Sequence, residues 1–153
     1  MLSRLEDKPT WLINQLYLRA QRLLADGFAQ AGSRGYHYRL LAALEQHGPT
    51  SQAELGRATG IDRSDVVAAL NELAGDGYVK RTADSTDRRR NVITMTRRGT
   101  RRLAELEPVV AQAQESLLAP LNTAERTQFL ALMRKLANPE TDLRGTEWTR
   151  RTV

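Results

Sequence analysis

Between Ser51 and Met95 the hydrophobic period of the chain changes from helical to alternating, and each change of direction falls on a cap or a glycine. Ser51-Gln52-Ala53-Glu54 is a capping box, in which the Ser51 hydroxyl accepts from the Glu54 amide while the Glu54 carboxylate reaches back to the Ser51 amide. A short helix with Leu55 and Ala58 inward is expected from there, ending at Thr59-Gly60, where glycine can take the left-handed conformation of a helix end. Asp62 is a second cap, opening a helix with Val66, Leu70 and Leu73 on one stripe that stops at Gly75 and Gly77. Tyr78 to Ala83 and Asn91 to Met95 then alternate and carry β-branched residues, with the turn-rich ADSTDRRR joining them, which predicts a β-hairpin. Two helices across a Thr59-Gly60-Ile61 turn, followed by a hairpin, make a helix-turn-helix with a wing. The second helix of such a pair is the one that enters a major groove.

Helices are expected on both sides of this motif. Trp11 to Ala31 spaces Leu12, Leu16, Leu23, Leu24 and Phe28 as one apolar stripe, and Gly32 and Gly35 break it. A helix from about Tyr36 to Gln46 buries Leu40, Leu41 and Leu44 and ends at His47-Gly48-Pro49. Beyond the hairpin, Thr96 caps a long helix from Arg97 to Leu118 with Leu103, Leu106, Val110, Ala113 and Leu117 on one side, kinked or irregular at Pro108. Asn122-Thr123-Ala124-Glu125 opens a last helix to about Ala137, with Phe129, Leu132, Met133 and Leu136 on its apolar side. The fold class is therefore mainly α, with a winged helix-turn-helix at its centre. From Asn138 on there is no clear period, and that tail is expected to be mobile or to pack late.

Charge sharpens the picture. Lys80 to Arg102 holds nine Lys or Arg against two Asp, hence +7, in a chain of 153 residues whose total is +5. The remainder is slightly acidic. A folded cationic hairpin suits a polyanion, and double-stranded nucleic acid is the first partner to consider. The absence of cysteine removes disulfides, thiolate metal sites and thiol redox sensing. His37 and His47, ten residues apart, lack the spacing of a ligand cluster, so neither a metal nor another cofactor is expected. No apolar run approaches the ~20 residues that cross a bilayer, and the amino terminus lacks a secretory pattern; no membrane partner is expected, and the location is expected to be cytoplasmic. With no Ser/His/Asp spacing, phosphate loop or isolated carboxylate pair, an enzyme is not expected.

Candidate contact residues follow from these elements. At the hairpin tip, Asp87-Arg88-Arg89-Arg90 suggests a bidentate pair in which Asp87 aims the guanidinium of Arg89 into a narrow minor groove, or else a solvated turn with an incidental ion pair. On the second helix of the motif, Arg63 and Ser64 occupy the first turn, Val67 and Ala68 can touch thymine methyls, and Asn71 lies on a face left open. Asp65 can accept from a cytosine, or it steadies the helix start or Arg63. Ser51 and Gln52 stand at a helix start, where phosphate binds, and serve equally well as caps. Arg97, Arg98, Arg101 and Arg102 crowd the start of a helix, the wrong end for the macrodipole unless phosphates are near. A winged helix used for protein contacts stays open as another reading of the same elements.

Asp87, Arg89, Met95-Thr96 and Gly99 resemble the wing signature of the MarR (multiple antibiotic resistance regulator) family of bacterial winged helix-turn-helix proteins: Asp-x-Arg, Leu-Thr six residues on, then a glycine. Met95 stands where leucine is usual. The stretch SQAELGRATGIDRSDVVAALNELAGDGYVKR is similar to that family's two DNA-binding helices. The resemblance implies a transcriptional regulator, most often a repressor, that is an obligate homodimer with its first helix and last two interlocked. It divides the chain into an N-terminal dimerisation helix (1–34), a winged lobe (35–99), C-terminal dimerisation helices (100–138) and a tail (139–153). Two recognition helices would then read a pseudopalindromic operator with half-sites ~34 Å apart. Family members often bind a small aromatic or phenolic ligand between the dimer helices and the lobe. Trp11, Tyr17, Tyr36, His37, Tyr38 and Arg39 are the residues that can line such a cleft here, or they are ordinary packing aromatics with polar tips outward.

Overall fold

The structure, a computed structural model, describes residues 4–138. The tail expected beyond Asn138 lies outside the described residues. Helix α1 runs Pro9–Gln30 and α2 Gly35–His47; a two-residue strand β1, Thr50–Ser51, precedes α3, Gln52–Thr59, and α4, Arg63–Gly75. Strands β2, Val79–Ala83, and β3, Asn91–Met95, lead into α5, Arg97–Leu118, and α6, Thr123–Ala137. The chain forms two compact units, one up to Leu117 and one from Leu118 on.

Local chemistry explains most of these boundaries. Ser51 caps α3 as expected: its hydroxyl accepts the Glu54 amide at 3.3 Å, and a Glu54 carboxylate oxygen accepts the Ser51 amide at 3.0 Å. Gly60 ends α3 at φ +65°, the left-handed region that glycine enters without steric cost. Thr96 starts α5, its hydroxyl accepting the Gly99 amide at 3.0 Å, and Asn122 with Glu125 forms a second complete capping box on α6.

Three expectations change. The sheet has three strands in the order β1-β3-β2, all antiparallel, instead of a bare hairpin; Thr50 pairs with Ile93 and Ser51 with Val92. A strand of two residues carries no period, so nothing in the sequence marks it. Asp62 occupies the N-cap position of α4 but makes no side-chain cap, and only its carbonyl joins the helix, accepting from Val66. Ala58 is exposed, because Leu55 alone of α3 reaches the interior. Helix α5 has the expected span, with Pro108 inside it.

The core of the first unit gathers Leu40, Leu41 and Leu44 from α2, Leu55 from α3, Val66, Leu70 and Leu73 from α4, Val79 and Ile93 from the sheet, and Leu103 from α5. The helical stripes and the inward positions of the two strands converge there, as their periods require. Helix α1 contributes Phe28, while its Leu12, Ile13, Leu16 and Leu18 are exposed. In the second unit α6 buries no residue fully, and Leu130, Leu132, Met133 and Leu136 are exposed.

Gly99 is where the sheet meets α5. A Cβ at this position would overlap the Tyr78 carbonyl oxygen and crowd the Met95 side chain. Backbone cannot yield as a flexible side chain can, so Gly99→Ala is expected to destabilise the fold by about 1–3 kcal/mol. Urea unfolding measures this, and a variant as stable as the parent would show that the contact is not tight.

Candidate nucleic-acid interface

The wing tip is held by its own aspartates. Asp84 Oδ1 accepts from the Thr86 amide and the Thr86 hydroxyl, both at 2.9 Å, and Asp87 Oδ1 accepts from the Arg89 amide at 2.9 Å. Two backbone bonds close the loop, Asp84 N to Arg90 O at 2.8 Å and Arg90 N to Asp87 O at 3.0 Å. Short acidic side chains that bond their own backbone two residues on are turn formers, and these hydrogen bonds, the amide first, draw the Asp84 carboxyl below its ordinary range. The bidentate pair expected between Asp87 and an arginine is not found among the described residues. Asp87 instead fixes the backbone from which Arg89 projects. A carboxylate two residues before an arginine satisfies either geometry, and the tight loop offers the nearer amide.

Arg88, Arg89 and Arg90 are all exposed. A groove of about 830 Å³ opens between the tip and the two helices of the motif, lined by Ser51, Gln52, Arg57, Arg63, Arg89 and Arg90 among others. Four arginines from α3, α4 and the tip thus line one concavity, with Asp62 as its acidic member. Arg90 also leans toward Glu54, 4.0 Å away. Arg57 was not singled out in the sequence, because it lies on α3 and meets Arg63 of α4 only through the fold.

The remaining predicted residues divide by face. Ser51 is buried and works as a cap, its hydroxyl also donating to Glu54 at 2.8 Å, while Gln52 is half-exposed in the groove. On α4 only Arg63 among the predicted residues lines the groove; Ser64 is exposed and Val67 half-buried. Asn71 is turned to the wing, its Oδ1 accepting from Arg81 at 2.5 Å. Asp65 and Ala68 line a different space.

That space is a cleft of about 760 Å³ among α1, α2, α4 and α5. Tyr17, Tyr36, His37, Tyr38 and Arg39 line it as expected, and Trp11, two turns nearer the start of α1, does not. Phe28 stacks on Tyr38 with ring centroids 6.0 Å apart, and the Tyr38 hydroxyl donates to Glu107 at 3.1 Å. Burial first, then the Glu107 carboxylate, push that phenol above the ordinary tyrosine range. On the opposite wall Glu72 receives Arg34 at 2.9 Å and His37 at 2.8 Å. Neither Arg34 nor Glu72 was predicted, although Glu72 follows Asp65 by seven residues and so shares its face of the helix. Among the described residues no cluster of His, Asp and Glu is placed to hold a metal, and no helix is long and apolar enough to cross a membrane.

A three-stranded sheet with a short helix and a recognition helix before it, and a long helix after it, defines a winged helix-turn-helix protein. Residues 32–90 match the sequence model of the MarR family. It is 34% identical over 100 residues to the HTH-type transcriptional repressor NicR of Pseudomonas putida, a match covering 65% of this chain and 63% of that one. The chain thus spans less than two thirds of the length of that relative. Among solved structures it resembles BpsR of Bordetella bronchiseptica, described for regulation of its DNA binding by 6-hydroxynicotinic acid, at 25% identity and a TM-score of 0.78 over 86% of this chain and 94% of that one. It also resembles the PcaV transcriptional regulator of Streptomyces coelicolor in complex with its natural ligand, at 28% identity and a TM-score of 0.74 over 88% and 94%.

The Glu54 carboxylate receives four donors or charges: the Ser51 amide, the Thr50 and Ser51 hydroxyls, and Arg90. They hold it at about 2, the Ser51 amide contributing most, against an ordinary value of 4.5. A carboxyl depressed in the folded state stabilises it fully above its unfolded pKa, and that contribution fades as pH falls from 4.5 to about 2. An NMR titration should place the Glu54 midpoint near 2; a midpoint near 4.5 would mean that the box is open in solution.

Proposed function

We propose that the chain is a sequence-specific, DNA-binding transcriptional repressor acting in the cytoplasm as a homodimer. The observation that carries this reading is the groove in which Arg57, Arg63, Arg89 and Arg90 converge from α3, α4 and a tip with a fixed backbone. Guanidinium groups on a rigid concave frame suit phosphates flanking a major groove, with the tip reaching the neighbouring minor groove. Ser64 and Val67 are the further candidates for base contacts from α4, while Asp65, Ala68 and Asn71 are turned to the cleft or the wing. The similarity to a named repressor supports the sign of regulation.

The homodimer rests on the apolar residues that the chain leaves uncovered. Leu12, Ile13, Leu16 and Leu18 on α1 and Leu132, Met133 and Leu136 on α6 are exposed, and a second copy would cover them. The chain then divides as the resemblance implied, into dimerisation helices (1–34 and 100–138) around a winged lobe (35–99).

The cleft is proposed to take a small aromatic acid. Tyr17, Tyr36 and Phe28 offer ring faces, and Arg34 and His37 offer donors now used by Glu72. A ligand carboxylate would take the place of Glu72 on those donors. It releases DNA only so far as it binds the released arrangement more tightly, by roughly 5.5 kcal/mol for near-complete switching. Relatives described with 6-hydroxynicotinic acid and with a natural ligand support this reading.

Arg89→Ala is expected to weaken DNA binding by about 1–3 kcal/mol and to lower the salt dependence by roughly one counterion, as mobility shifts over a salt series would read. Unchanged affinity would leave a protein-binding winged helix as the better description. For the cleft, 6-hydroxynicotinate and phenolic acids should raise the melting temperature in proportion to the logarithm of their concentration. That rise should vanish in Arg34→Met; no rise with any aromatic acid would favour a regulator without a small ligand.

A further inference from the structure

One arginine of the cluster at the start of α5 faces inward. Arg97, Arg98 and Arg101 are exposed, whereas Arg102 keeps only 15% of its side chain accessible. Its Nη2 donates to the carbonyls of Ala31 at 2.7 Å and Gly32 at 3.1 Å, where α1 ends, and its Nη1 donates to Glu105 at 3.1 Å. The same guanidinium lies 5.9 Å from the ring centroid of Tyr78, which Arg98 covers at 5.3 Å. Carbonyls at a helix end carry partial negative charge and lack partners, so a planar cation with several donors satisfies them while stacking on a ring.

Tyr78 is the root of the wing. Its carbonyl accepts from the Thr96 amide at 3.0 Å and the Thr96 hydroxyl at 3.1 Å, and Gly99 packs against it. The residue that reads the end of α1 thus touches the residue from which β2 departs. We propose that Arg102 is a positioning residue for DNA binding, clamping the end of α1 to the root of the wing so that a displacement of one carries the other. It does so without touching DNA. The inference rests on the DNA-binding reading and extends it, because α1 also lines the cleft.

The test uses the full chain carrying Arg102→Lys or Arg102→Met, with Arg101→Lys as the exposed control. Two readouts are taken: amide exchange in the free protein at residues 28–33 and 77–81, and affinity for a duplex pool that the parent chain enriches from random sequence. Both Arg102 variants are expected to exchange faster at both segments together and to lose about tenfold in affinity, as side chains sharing one network do. Lysine should fail as methionine does, since one ammonium cannot span two carbonyls, a carboxylate and a ring. Arg101→Lys should match the parent in both. Parent-like DNA affinity in Arg102→Lys would assign the residue a charge role or a purely structural one and overturn the proposal, as would faster exchange at only one segment. If the parent enriches no duplex, the DNA reading fails, and the exchange measurement still decides whether the clamp exists.

Discussion

The packing of Gly99 on the Tyr78 carbonyl sets the position of everything that faces outward. At that point the wing returns to the body of the domain, and because no side chain intervenes, α5 begins directly against the root of β2. Thr96 adds bonds to the carbonyls of Gly77 and Tyr78, so the strand that leaves α4 and the helix that follows β3 share one fixed corner. Hairpin, recognition helix and long helix are then held to one another through backbone, which does not change rotamer. A cationic tip is useful for reading a duplex only when it is held in this way.

The basic window reads differently once its members are placed. As a sum it is +7 on 23 residues, which suits any polyanion. In the fold Arg89 and Arg90 line the groove, Arg98 and Arg102 lie over the Tyr78 ring, Arg81 bonds Asn71, and Arg97 and Arg101 are exposed. Net charge therefore overstates the cationic surface available to a partner, since Arg81 and Arg102 are engaged within the fold. The crowding of arginines at the wrong end of a helix dipole also loses its paradox for Arg102, whose charge meets the opposite end of a different helix.

Much of the fold was legible in the sequence, because caps, glycines and hydrophobic periods are local signals with local causes. Both capping boxes formed, the glycine stop of α3 is left-handed, and the stripe of Val66, Leu70 and Leu73 is buried. What was not legible depended on distant partners. Strand β1 is too short to have a period, the Asp87 carboxylate took a backbone amide instead of the expected guanidinium, and Glu72 became part of a cleft only when α2 was laid beside α4. The candidate site followed the same rule. Arg63 and Arg89 were singled out by motif and turn, but the bond of Asn71 to Arg81 could not be read before β2 had a position. Trp11 does not line the cleft, because aromatic clustering in sequence does not fix how far along a helix a cavity extends.

The central claim is that two such frames, related by two-fold symmetry, read one duplex. Sequencing the DNA that the full chain selects from a random pool tests it most directly. The account predicts an inverted repeat whose half-sites are separated by about one helical turn, ~10 base pairs between centres, with A·T-rich positions where the wing tips fall. Selection of a single unpaired half-site, or of no sequence at all above background, would contradict it.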